Sequence, residues 1–364
     1  MNEKTTEKTT ILALDLGGSK MLSALVDVST SAEGERKTEL RGVARRELTK
    51  DAGRDGVWAA ILDATAETFE KTGETWANVA SIGATIPGVA DPKRGYWVYA
   101  PFSGVADFPL ADELRARFGK PVFADNDVNA CAWAEKVFGV CRNVDNFVWI
   151  TISNGIGGGL VLDGKVYAGK FSGAAEIGHF NVVENGALCG CGNRGCLEAT
   201  AAGPGIARRY RELVAEIAEE NDAAPSELRS AWSRYLASTC GKATRGAVDR
   251  RDLSGEVEAA QTATAATIAD EARFGNPLAV KVYNDTGRFV GRAASYAANL
   301  VNPEKIVIGG GVAGAFELFY PALWETFERC LFKPTNATLT IEKTGLGYEA
   351  GLMGAAALAF SPYC

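Results

Sequence analysis

Two stretches of the chain share one pattern of apolar and polar positions. Ile11 to Leu14 is an apolar run, Asp15 to Lys20 is a glycine-bearing turn, and Met21 to Val28 alternates as a half-buried strand does. The pattern returns with the run Phe147 to Ile152, the turn Ser153 to Gly159, the short strand Leu160 to Leu162 and a further turn at Asp163-Gly164. Neither glycine turn opens a helix, so each unit reads strand, turn, strand. A duplicated hairpin of this kind predicts two related domains.

Between the hairpins the spacing predicts a helix over Val57 to Lys71, a strand at Val79 to Ala84, and a strand at Pro121 to Ala124 feeding a helix from about Val128 to Phe138. After the second hairpin come a Cys/His loop and a helix beginning near Pro204. A stretch rich in Ala, Ser, Thr and charge over Asn221 to Thr262 has weak periodicity and reads as a helical or loop insertion. A long helix at Pro277 to Leu300, a strand at Lys305 to Ile308, the turn Gly309 to Gly311, a further helix and a closing helix at Gly351 to Ala359 complete the chain. Strands alternating with helices favour the α/β class.

With 364 residues, 47% of them hydrophobic, the chain can bury a large core split over about two domains. The net charge of -7, from 38 basic and 45 acidic side chains, gives no basic surface to neutralise a phosphate backbone, which argues against nucleic acid as a partner. The opening MNEKTTEKTT lacks an apolar export core, and no run of about 18 apolar residues follows, so the expected setting is cytoplasmic, with no membrane partner.

Three glycine loops are candidates for phosphate contact. In Asp15-Leu16-Gly17-Gly18-Ser19-Lys20 the backbone N–H groups are open to a close anion, and the neighbouring carboxylate could hold magnesium; an ordinary hairpin turn explains the same residues. The run Gly155 to Gly159 carries four glycines in five residues, which calls for close approach of the backbone to something. Gly309 to Gly311, after an apolar strand and before a helix, fits either a nucleotide-contacting turn or a tight connection. Asp125-Asn126-Asp127 stands where a strand gives way to a helix. Helix capping accounts for it; a functional reading makes Asp127 a base, kept ionised by the helix N-terminus.

Of the 8 cysteines, Cys189, Cys191 and Cys196 crowd together, and the one histidine, His179, lies just before them. Three thiolates and an imidazole are the donor set of a closed tetrahedral zinc site, which assigns the metal a structural role. Glu176 and Glu198 flank this loop and could accept hydrogen bonds from the hydroxyls of a sugar ring.

Read in order, Asp15-Leu-Gly-Gly, Asn126-Asp127-Val-Asn-Ala, Gly155-Ile-Gly-Gly-Gly159, Glu176-Ile-Gly-His179, Cys189-Gly-Cys-Gly-Asn-Arg-Gly-Cys-Leu-Glu198 and Asn302-Pro303 to Gly311 resemble the ROK family of repressors and sugar kinases over nearly the whole chain. The resemblance implies an actin-like, hexokinase-type ATPase fold with two domains and a cleft between them. A small N-terminal α/β domain over 1–125 would be completed by the C-terminal helix at 350–364. A large domain over 126–349 would carry the zinc loop 176–198 and the insertion at about 221–262. The same resemblance implies an ATP-dependent, glucokinase-like kinase acting on a sugar 6-hydroxyl or its equivalent, with Asp127 as general base. Sugar contacts fall on Gly88, Asn126, Asp127, Glu176, His179 and Glu198. Mg-ATP contacts fall on Asp15, Gly17, Gly18, Ser19, Lys20, Asn154, Gly155, Gly157, Gly158, Gly310 and Gly311, and His179, Cys189, Cys191 and Cys196 hold zinc. A homodimer is also implied.

Two departures from the family pattern bear on the substrate. Ser153-Asn154-Gly155 replaces the usual Gly-Thr-Gly, and Pro101-Phe102 stands where glucose-type kinases carry Pro-Asn. Kinases for N-acetylhexosamines or fructose therefore stay open beside a glucose kinase. A sugar-sensing repressor would need a DNA-binding module, and about ten residues precede the first strand.

Overall fold

The computed structural model describes residues 7–32, 34–49, 52–100, 103–223, 258 and 260–363. Phe102 and most of the stretch 221–262 lie outside the described residues. The chain opens with three strands, β1 (Glu7–Leu16), β2 (Lys20–Thr30) and β3 (Arg36–Glu47), and the helix α1 (Gly53–Thr72). Next come β4 (Val79–Ile86), a small three-stranded sheet of β5 (Val89–Asp91), β6 (Tyr96–Ala100) and β7 (Val105–Phe108), the helix α2 (Leu110–Phe118), and β8 (Val122–Asn126). Helix α3 (Asp127–Val137) leads to β9 (Phe147–Ile152), β10 (Ile156–Leu162) and β11 (Lys165–Val166). Helices α4 (Leu197–Ala201), α5 (Gly203–Ala223), α6 (Ala265–Arg273) and α7 (Pro277–Val301) precede β12 (Lys305–Gly309). The remainder is α8 (Phe316–Cys330), α9 (Lys333–Asn336), β13 (Thr340–Lys343) and α10 (Ala350–Phe360).

The two large sheets repeat one plan. The first runs β3-β2-β1-β4-β8 and the second β11-β10-β9-β12-β13. In each, the first three strands pair antiparallel as a meander, and the last two lie parallel to the central strand. The duplicated hairpin is therefore the visible part of a duplicated five-stranded sheet. This is the mixed α/β, actin-like plan.

The second hairpin differs from the sequence expectation in one respect. Gly157, Gly158 and Gly159 belong to strand β10, which begins at Ile156, and not to the turn. Packing explains them: a Cβ on Gly157 would sit 2.8 Å from Val128 Cγ2, and one on Gly159 would sit 2.9 Å from Ala132 Cβ. Side chains there would push α3 off the sheet.

Helix α3 lies between the sheets. Ala130, Trp133, Ala134 and Val137 join Ile11, Ala13 and Ala24 of the first sheet in one buried cluster, while Ala132 joins Phe147, Trp149 and Val161 of the second. Its start is set locally, because Asn126 Oδ1 accepts the N–H groups of Val128 at 2.9 Å and Asn129 at 3.3 Å. The closing helix α10 is apolar all round, as a helix buried on every side must be. It lies against β4, where a Cβ on Gly83 would stand 1.7 Å from Ala355 O, so only glycine admits it. Among the described residues, no helix is long and apolar enough to cross a membrane.

Candidate active site

The loops of interest sit at the C-terminal ends of central strands, where α/β sheets place ligands. Asp15 ends β1 beside Thr85 at the end of β4, and Thr85 Oγ1 donates to Asp15 Oδ1 at 2.9 Å. Thr85 also accepts the Leu16 N–H at 3.1 Å, which fixes the entry to the first glycine loop. Burial raises the Asp15 carboxyl, and Thr85 and Lys20 pull it back down in part. Lys20 reaches across to Tyr348, its Nζ 2.6 Å from the phenol oxygen. The roof over Asp15 is the start of α10 at Gly351.

The second and third loops meet. Gly310 adopts φ 84°, and a Cβ there would lie 2.4 Å from Ile152 O, so the turn after β12 presses on the end of β9. A Cβ on Gly311 would stand 3.8 Å from Ser153 Oγ. Ser153 closes the hairpin by donating its N–H to Gly155 O at 2.8 Å. Gly155 in turn borders Glu198, whose Oε2 accepts the Ile156 N–H at 3.0 Å. Gly158 points toward the other loop, with a Cβ position 2.5 Å from Ala175 O.

Asp127 begins α3 at the junction of these elements. The sequence expectation that the helix N-terminus keeps this carboxylate ionised is corrected here. Burial, with the Asp15 charge next, pushes Asp127 up to about 7, and the Val128 N–H at 3.0 Å offsets only part of that. Burial outweighs the helix end, and the like charge of Asp15 adds to it. Asn126 caps α3 through its amide oxygen and donates one of its two amide N–H groups to Gly88 O at 2.8 Å. Gly88 has φ 84° and a Cβ position 2.5 Å from Tyr99 O, so it too is a required glycine.

The Cys/His loop brings its four donors together. One ligand atom from each of His179, Cys189, Cys191 and Cys196 falls within 4.8 Å of the others. His179 Nδ1 faces Cys189 Sγ at 3.7 Å, and Cys191 Sγ faces Cys196 Sγ at 3.7 Å. The opposite ring nitrogen, Nε2, lies 3.8 Å from Glu176 Oε2. Burial and the two neighbouring thiols push the Cys196 thiol up to about 12. Three sulfurs so close repel one another as thiolates unless a cation sits between them, so the donor set fits a divalent soft metal.

The structure thus brings Asp15, Gly88, Asn126 and Asp127 to one edge, and Gly155, Glu176, His179 and Glu198 to the facing loops. Ser19 and Asn154 are exposed on their turns. Thr85, Gly351 and Tyr363 support the site and carry no motif that marks them, and Asp125 supports it too. Asp125 alone had a sequence signal, the paired aspartates of Asp125-Asn126-Asp127.

The chain is similar to known proteins over nearly its whole length. The profile of the ROK family matches residues 11–361. A glucokinase of Thermotoga maritima is 31% identical over 352 residues, covering 96% of this chain and 97% of its own. An N-acetylglucosamine repressor of Escherichia coli is 27% identical over 299 residues, covering 82% of this chain and 64% of its own. The crystal structure of a ROK family glucokinase from Streptomyces griseus, in complex with glucose and AMPPNP, superposes with a TM-score of 0.71 at 30% identity, covering 96% of this chain and 99% of that one.

Proposed function

The chain belongs to the ROK family, and we propose that it acts there as an ATP-dependent sugar kinase of glucokinase-like type, with Asp127 as the general base. The observation that carries this reading is the near full-length similarity to glucokinases together with the Asp127 carboxyl at the start of α3, which burial and the charge of Asp15 push up to about 7. A base with that affinity for protons can take one from a sugar hydroxyl at neutral pH. The hydroxyl oxygen then attacks the γ-phosphorus of ATP, the bond to the bridging oxygen breaks, and ADP leaves. Kinases for which this chain is a near full-length match support the reading more than the repressor does, since the match spans 64% of the repressor.

The remaining roles follow the positions of the loops. Gly88, Asn126, Glu176, His179 and Glu198 hold sugar hydroxyls around Asp127. Asp15, Gly17, Gly18, Ser19, Lys20, Asn154, Gly155, Gly157, Gly158, Gly310 and Gly311 form the nucleotide side. Packing already accounts for Gly157 and Gly158, so their part there is to let the strand run close beneath the phosphates. Asp15 would hold magnesium, which when bound would neutralise phosphate charge. His179, Cys189, Cys191 and Cys196 would hold a structural zinc that fixes the loop 176–198, with His179 Nε2 turned toward Glu176 on the sugar side. Residues 1–125 with 350–364, and residues 126–349, form the two domains that close on the substrates and exclude water.

The test is release of ADP from Mg-ATP against a panel of hexoses, N-acetylhexosamines and fructose, with Asp127→Asn as control. Turnover with one sugar, abolished in the variant, is the expected result and names the substrate. Binding of a sugar without turnover overturns the kinase reading in favour of a sensor.

A further inference from the structure

We infer that Tyr363 is a positioning residue for the Asp127 base, acting through the buried Asp125 carboxylate. The inference rests on the kinase reading above. Asp125 is fully buried, and both of its oxygens are engaged. Oδ1 accepts the Asn126 N–H at 2.6 Å, and Oδ2 accepts the Tyr363 hydroxyl. The Asn129 side chain is a third partner. The amide held by Oδ1 belongs to the residue directly before Asp127, so a rotation of the Asp125 side chain is passed to the base through one residue of backbone.

Tyr363 is itself fixed to the helix that Asp127 begins. Its ring meets Trp133 edge to face with centroids 4.9 Å apart, and Trp133 Nε1 donates to Ser361 O at 2.7 Å. Asn129 and Trp133 are four residues apart and lie on one face of α3. The segment after α10 therefore contacts both the end of β8 at Asp125 and the middle of α3 at Trp133, the two elements that meet at Asp127. A cavity of about 140 Å³, lined in part by Lys93, Arg115, Phe123 and Tyr363, adjoins the contact.

Misplacing a reacting group by about 1 Å can cost as much as 100-fold in rate. Partial release through one lost hydrogen bond should cost less. Tyr363→Phe keeps the ring on Trp133 and removes only the hydroxyl. The expected result is a fall in kcat of about tenfold, with KM for sugar and for ATP within about twofold and an unchanged fold by circular dichroism. In an Asp125→Ala background the same change should have no further effect on kcat, because its route to the base is gone. Equal kcat for Tyr363→Phe and the parent, or an additive loss in the Asp125→Ala background, overturns the proposal. Asp127→Asn is measured beside these variants. Full turnover in Asp127→Asn overturns the base assignment and this proposal with it, whereas abolished turnover there with an unchanged Tyr363→Phe overturns this proposal alone.

Discussion

Gly351 lies so close to Asp15 that a Cβ on Gly351 would stand 2.4 Å from the carboxyl carbon and from both of its oxygens. The start of the closing helix therefore forms one wall of the pocket that holds the first-loop carboxylate. Gly351→Ala should swing Asp15 off Thr85 and cost roughly 1–3 kcal/mol of stability as an overpacked site does. We expect KM for Mg-ATP to rise and kcat to fall by at least about tenfold, with sugar binding in the absence of nucleotide unchanged. Steady-state kinetics with calorimetric titration of the sugar separates the two effects. Parent-like ATP kinetics would show that Asp15 does not serve the nucleotide side.

The Asp127 carboxyl predicts a pH dependence. Held near 7 by burial and by Asp15, it must lose its proton before it can accept one from a sugar. The ratio kcat/KM for ATP, which reports the free enzyme, should rise with pH and level off above about 7. Stability should move the other way. A raised carboxyl means that the folded chain holds more protons than the unfolded chain between the ordinary value of 3.8 and about 7, so this group's contribution falls as pH rises through that window. Asp127→Asn lacks the charge, and its melting temperature relative to the parent should be higher at pH 8 than at pH 4.

Much of the fold was legible from periodicity. The first hairpin shows as two apolar runs around a glycine turn, although Met21 to Val28 is buried on both faces and not alternately, and α7 carries its signals at both ends, with Asn276 as cap, Pro277 in the first turn and Asn302 left-handed at the stop. Strand β3 escaped notice because its sequence, RKTELRGVARRE, is an exposed edge strand with little apolar alternation. The start of β10 was misread because glycines normally mark turns, and the helix that requires them lies on a separate segment. In the site, the metal donors were legible because they are close in sequence. The proton affinity of Asp127 was not, since it depends on Asp15 and on burial, and neither Thr85 nor Tyr363 carries a motif.

The four soft donors predict a metal whose loss is structural. Purified protein should hold one zinc per chain, and a strong chelator should lower both the melting temperature and the affinity for sugar. Outer partners of a metal ligand alone account for about 10–100-fold in metal affinity. Cys196→Ser removes a buried donor itself and should weaken zinc by at least about 100-fold on the same scale. Metal analysis with thermal melts checks this, and a metal-free protein with parent stability and sugar affinity would remove zinc from the account.

Glu198 ties the metal loop to the second glycine loop, which makes Gly155 a test of the sugar side. The Glu198 carboxylate accepts the Ile156 N–H at 3.0 Å, and a Cβ on Gly155 would lie 2.7 Å from the same oxygen. The only atoms a Cβ on Gly155 would meet belong to the Glu198 carboxylate at the start of α4, so the cost of an added methyl falls on that side chain and not on the core. Gly155→Ala should push the carboxylate off the Ile156 amide and away from any hydroxyl it holds, at a cost in folding of about 1 kcal/mol for the lost bond. The expected signature is a rise in KM for sugar of about tenfold or more, larger than the rise for ATP. Glu198→Gln should reproduce it, because an amide oxygen can still accept from Ile156 while the charge that a sugar hydroxyl donates to is gone. If Gly155→Ala raises KM for ATP and leaves that for sugar untouched, the loop serves the phosphates alone and Glu198 is a strut of the metal loop.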